Sequence, residues 1–116
     1  MKKSINYIFV IFCSTLFACQ KEYSADITIK NEVSNVTLDQ IYFGKKHSSY
    51  ESLLPGQETK ISMYGYDGDW PMLGSLSFVM SASDNQVYLT TDSSYVIDKE
   101  QHLTIVINDD TPVSSY

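Results

Sequence analysis

Arginine is absent from this sequence, and histidine and cysteine occur only twice each in 116 residues. Without arginine the chain has no planar fork to grip phosphate or carboxylate bidentately. All eight basic residues are lysine, set against fourteen Asp plus Glu for a formal charge of −6, which argues against nucleic acid as a partner. No apolar run approaches the roughly twenty residues that cross about 30 Å of hydrocarbon, so a polytopic membrane protein is excluded. The length excludes a large multidomain enzyme, and there is no internal repeat or low-complexity segment. With 43% hydrophobic and 13% aromatic residues, the chain has enough apolar material for one packed core.

The N-terminus carries a recognisable address. Met1-Lys2-Lys3 is a short cationic start, Ile8 to Phe17 is a largely apolar run of ten, and Ala18 precedes Cys19. This is the three-part layout of a secretory signal that is removed on export. Its end, Leu16-Phe17-Ala18-Cys19, resembles the lipobox of bacterial lipoproteins, with Leu16 and Ala18 as the recognition positions. That resemblance implies acylation of the Cys19 sulfur and cleavage before it, giving attachment to the outer membrane. Cys13 would leave with the signal, so the mature chain would keep one cysteine, occupied by lipid, and no disulfide. One acyl chain holds a membrane only marginally, whereas the two or three of a lipoprotein hold nearly permanently. The following Gln20-Lys21-Glu22-Tyr23 resembles the Lys-plus-acidic signal of surface-exposed lipoproteins of Bacteroidota. It implies the cell surface, with a periplasm-facing anchor as the alternative. Removing residues 1–18 takes two of the eight lysines and none of the fourteen acids, so the mature chain stands near −8.

From Asp26 the apolar residues alternate in short runs broken by turn residues, the signature of an all-β domain. Ile27 and Ile29 mark a first strand ending at Asn31-Glu32. Val36 and Leu38 start a second that resumes at Ile41 and Phe43, and the change of phase between Leu38 and Ile41 predicts a bulge. Gly44 to Gly56 reads as a long connection, with Leu53-Leu54 plugging one end of the core before a Pro55-Gly56 turn. Thr59, Ile61 and Met63 face one way, and Glu58, Lys60, Ser62 and Tyr64 the other. Leu76, Phe78 and Met80 form the next inward row, continued after a Ser83-Asp84-Asn85 turn by Val87 and Leu89. Tyr95 to Ile97 and Leu103, Ile105 and Ile107 read as a closing hairpin. The expected architecture is an antiparallel β-sandwich of about seven strands, immunoglobulin-like or transthyretin-like. Its parts are a signal (1–18), lipidated Cys19 with a tether (19–25), the sandwich (26–108) and a flexible tail (109–116).

Chemistry is sparse. His47 and His102 lack a G-x-S-x-G elbow or a nucleophile at a meaningful spacing, and a zinc site needs three or four ligands that are not in sight. Asp67-Gly68-Asp69 offers two carboxylates to a hard cation, although Asp with Gly is also ordinary turn vocabulary. No cofactor is expected. The aromatic surplus is more informative: Tyr42, Tyr64, Tyr66 and Tyr88 fall at or off the edge of the core rows, and Trp70 sits in a loop. Such residues supply contact area at low entropic cost, so together they form a candidate binding patch. Two functions remain open. The first is a non-catalytic, lipid-anchored module binding a partner protein or glycan, inhibitor and immunity-type proteins included. The alternative is a small envelope hydrolase using Asp67, Asp69 or Glu51.

Overall fold

A computed structural model describes residues 21–44 and 46–115, so the signal segment and Cys19 lie outside the described residues. The chain is an all-β sandwich. Among the described residues there are ten strands: β1 (Glu22–Glu32), β2 (Thr37–Phe43), β3 (His47–Ser49), β4 (Glu58–Tyr66), β5 (Met72–Gly74), β6 (Leu76–Ala82), β7 (Asn85–Thr91), β8 (Tyr95–Ile97), β9 (His102–Asn108) and β10 (Val113–Ser115). A three-stranded sheet ordered β4-β1-β9 faces a five-stranded sheet ordered β10-β7-β6-β2-β3, and β5 and β8 form a separate ribbon.

Alternation explains the core. On β1, Ile27 and Ile29 are fully buried between polar neighbours, and on β4 Thr59, Ile61 and Met63 turn inward. They meet Leu38, Ile41, Phe43, Leu76 and Phe78 of the opposite sheet in one apolar cluster, the period-2 geometry of a sandwich interior. The bulge lies where the phase change predicts it: the β2–β6 ladder runs Asp39 to Val79 and then Tyr42 to Ser77, with Gln40 at φ 49. One extra residue on β2 restores Ile41 and Phe43 to the core side.

Several expectations are corrected. The tether is shorter than 19–25, because β1 begins at Glu22 and pairs Ser24 with Tyr64 and buried Ala25 with Met63. Ala25 adds too little bulk to extend the sequence pattern. Three-residue strands account for the higher strand count: β3 inside the expected connection, β5 after the Asp67–Asp69 turn, and β10 in the expected tail. The tail is held on both sides, by β10 pairing with β7 and by Asp109 accepting the Ser34 N–H and hydroxyl, each at 3.0 Å. The closing hairpin does not form. Instead β8 pairs with β5, while β9 crosses to the other sheet and runs parallel to β1, so the sandwich is not wholly antiparallel. The Asp98–Gln101 turn is stitched onto β1 by Glu100 N–H to Ser24 O (2.7 Å) and Asp26 N–H to Gln101 O (3.1 Å), which directs β9 alongside β1. Leu53 is buried and bridges to Leu38, but Leu54 is exposed. Val87, expected inward, is exposed because the five-stranded sheet is wider than the three-stranded sheet facing it.

The β5–β8 ribbon continues the β6–β7 hairpin. Between the pairs Ser77–Thr90 and Gly74–Tyr95 one strand advances three residues and the other five, so two extra residues bend the ladder. Buried Thr91 holds the bend: its hydroxyl accepts the Leu76 N–H (3.0 Å) and donates to Ser93 O (3.1 Å). Gly74 is required by close approach, since a Cβ there would lie 2.8 Å from the Gly44 nitrogen.

Candidate functional site

Strand direction gives the sandwich two dissimilar ends. β1 spans eleven residues, roughly 35 Å at about 3.3 Å per residue. At the Glu22 end lie Tyr66, the Asp67–Asp69 turn, the turn residues Gly44 and Lys46, and the ribbon. At the Asn31 end lie the turns after β1, before β4, between β6 and β7, and after β9.

The Glu22 end contains a cleft of about 440 Å³. Phe43 and Gly44 reach it from the end of β2, Lys46 from the following turn, His47 from the start of β3, Tyr64 from β4, Asp69 from its turn, and Met72 and Leu73 from β5. Burial pushes the His47 imidazole below its ordinary range, and the adjacent Lys46 ammonium pushes it further in the same direction. The cleft thus offers one cation, one carboxylate, an imidazole held toward its neutral form, and two aromatic rings beside aliphatic surface. That inventory suits binding through mixed contacts.

The five aromatic candidates do not make one patch. Tyr64 and Tyr66 project from the outer face of the three-stranded sheet, alternating with buried Met63. Tyr42 lies between buried Ile41 and Phe43 and so faces outward from the opposite sheet, as does Tyr88 on β7. Tyr42 meets Tyr50 edge-on at 6.1 Å and donates its hydroxyl to Tyr50 at 3.4 Å, which holds the Tyr50 phenol below its ordinary range. Trp70 folds back onto the core, its indole N–H donating to Gly65 O at 3.3 Å. An indole in a loop is legible from sequence, but the carbonyl that captures it is not.

The acidic candidates serve as structural partners. Asp69 accepts the Tyr66 N–H at 2.8 Å, and Asp67 pairs with Lys99, whose ammonium also lies 4.8 Å from the Tyr23 ring. Among the described residues no three His, Cys, Asp or Glu side chains gather as a metal site. Glu51 accepts the Thr59 hydroxyl at 2.8 Å, tying the connection after β3 to β4. It also borders a wide depression of about 730 Å³ with Lys30 and Glu58.

One pairing was invisible to sequence reasoning. His102 Nδ1 lies 2.7 Å from Asp26 Oδ1, because the parallel β1–β9 register sets the two residues side by side. The imidazole is 79% exposed on an open sheet face.

The Asn31 end is acidic. Glu32, Glu58, Asp84, Asp109 and Asp110 are all exposed around its turns. Lys30 stands among them and lies 3.4 Å from Glu32. Ser34 donors hold the Asp109 carboxyl below the usual carboxylate range, the backbone N–H first and the hydroxyl second.

Comparison of the chain with protein-family models, curated proteins and solved structures finds no match.

Proposed function

We propose that the chain is a lipid-anchored lipoprotein of the cell envelope that acts by binding a partner protein or glycan and not by catalysis. Attachment is through acylated Cys19 at the outer membrane, on its periplasmic face or at the cell surface. The observation that carries the reading is the opposition of the two ends. Cys19 precedes the first residue of β1 by three positions, and β1 then runs the length of the sandwich to the acidic turns. An anchored chain of this build presents those turns away from the attachment point. Their charge suits a basic partner surface, with complementarity setting encounter rate and specificity. An inhibitor or immunity-type protein needs no more than one such surface. The hydrolase alternative gains no support from its three acids, since Asp67, Asp69 and Glu51 are each engaged by a neighbouring donor.

The test has two arms. In membrane fractionation, Cys19→Ala should move the protein from the membrane pellet to the soluble fraction, and unchanged partitioning removes the anchor. In crosslinking on cells, a Glu58→Gln, Asp84→Asn, Asp110→Asn chain should lose partners that wild type captures. Identical crosslinks remove the acidic end from the reading. Protease shaving of intact cells separates surface exposure from periplasmic confinement.

A further inference from the structure

The Glu22 end carries a paired apolar surface, whereas the exposed Leu54, Val87 and Val106 of the acidic end come from three separate elements. Leu73 and Val96 are directly opposite each other in the ribbon and are 65% and 55% exposed, while their neighbours Met72 and Ile97 turn toward the core. Tyr64 shares the cleft with Leu73, and Tyr66, 52% exposed, is the next outward residue along β4. Of the nine large hydrophobic residues exposed among those described, these four lie at the Glu22 end, with Leu73 opposite Val96 and in the same cleft as Tyr64.

The covalent geometry of the chain identifies what covers them. From Cys19 to Glu22 there are three residues, a reach of at most about 11 Å. Glu22 is paired with Tyr66, so the exposed strip starts beside the point where the tether joins the fold. The headgroup layer on each side of the hydrocarbon is about 5–8 Å deep, comparable with that reach. We infer that this end rests on the bilayer, with Tyr66, Leu73 and Val96 in the headgroup layer. The inference rests on the lipid-anchor reading of Cys19. Tyrosine suits that depth, because its ring is apolar and its hydroxyl stays wet. Lys46 can lay its methylene stem along the same surface with its ammonium group toward phosphate.

Charge is not what holds the contact. Asp67 already pairs with Lys99 and Asp69 with the Tyr66 N–H, but Glu22, Asp98 and Glu100 share this end with the lysines. The contact therefore works on a zwitterionic surface and survives high salt, unlike a polybasic one. Apposition also fixes the long axis of the sandwich away from the membrane, so that the acidic turns point outward.

The test uses the purified lipidated chain in phosphatidylcholine vesicles with and without brominated acyl chains. The mature sequence has no cysteine besides Cys19, so Leu73→Cys, Val96→Cys and Asp84→Cys can each carry one bimane label. Labels at positions 73 and 96 should lose emission in brominated vesicles, at low and high salt alike, while the label at 84 should not. Protein that floats with the vesicles but shows equal emission at all three sites overturns the docking and leaves the anchor standing. Flotation without quenching, with unlabelled Leu73→Cys chains joined to one another by a bis-maleimide crosslinker, overturns it in favour of self-association. Protein that does not float overturns the anchor and the docking together.

Discussion

The two ends of the sandwich are held by different means. At the Asn31 end one buried amide does most of the holding: Asn31 Nδ2 donates to Val36 O and Leu53 O, both at 2.8 Å, and its Oδ1 accepts the Val33 N–H at 3.0 Å. Its backbone adds two more bonds, from Gly56 N–H at 2.7 Å and to Gln57 O at 2.9 Å. At the Glu22 end there is no comparable hub among the described residues. The ribbon is held by Thr91, by the glycine contact at Gly74 and by Ile97 entering the core, and its outer side stays apolar and exposed. An end knotted around one satisfied buried amide lies opposite one whose paired ribbon leaves Leu73 and Val96 in the open. This is the arrangement expected where one end meets water and the other meets something less polar.

The difference can be broken most severely at Asn31. Asn31→Ala leaves Val33 N–H and Val36 O without their partners and takes one of two donors from Leu53 O, which keeps the Leu38 N–H at 2.9 Å, at about 1–3 kcal/mol for each orphaned group and less than additively. We expect a loss of about 3 kcal/mol, a large share of the 5–15 kcal/mol typical of a domain, read as a lower urea midpoint. Gly74→Ala attacks the opposite end by forcing a Cβ against the Gly44 backbone, at a cost of about 1–3 kcal/mol for overpacking. Its effect should show first as faster amide exchange in β5 and β8, with the Asn31 turns unchanged. If both variants speed exchange equally at both ends, the ends are one cooperative unit and the comparison fails. Thr91→Val keeps the shape but orphans the buried Leu76 N–H and releases the Ser93 carbonyl, on an exposed residue, to water, and should cost about 1–2 kcal/mol in the same measurement.

The legible part of this fold was the part carried by long alternating strands. β1, β2, β4 and β6 each hold seven or more residues, enough for the period and even for the β2 phase change to show. β3, β5, β8 and β10 have three residues each, too few for any period, and their pairing is decided by what lies opposite. The parallel β1–β9 pairing leaves no local trace, because the register that joins Asp26 to His102 spans 76 positions. Asn31 reads as a polar strand end for the same reason: one of its acceptors, Leu53 O, is 22 residues away. Tyr64 and Tyr66 were legible as outward residues from the alternation of β4, but their neighbours Leu73 and Val96 come from strands that carry no pattern.

The finest separation of the two ends is by pH. His47 at the Glu22 end has a folded-state pKa below its unfolded value near 6.5, so the unfolded chain binds more protons in that window. Stability contributed there is complete above about 6.5 and falls as pH drops toward the folded pKa. Asp109 at the other end also has a lowered folded-state pKa, but its unfolded value is near 3.9, so its contribution persists to far lower pH and is lost only as pH falls through the folded value. Urea midpoints should therefore decline in two steps. The first, setting in as pH falls below about 6.5, should vanish in His47→Gln and remain in Asp109→Asn; the second, below about pH 4, should shrink in Asp109→Asn and remain in His47→Gln. Both side chains are largely in contact with solvent, so the steps should be small and weaken with salt. A single step abolished by neither variant would mean that other carboxylates control the acid response, and that pH does not distinguish the ends.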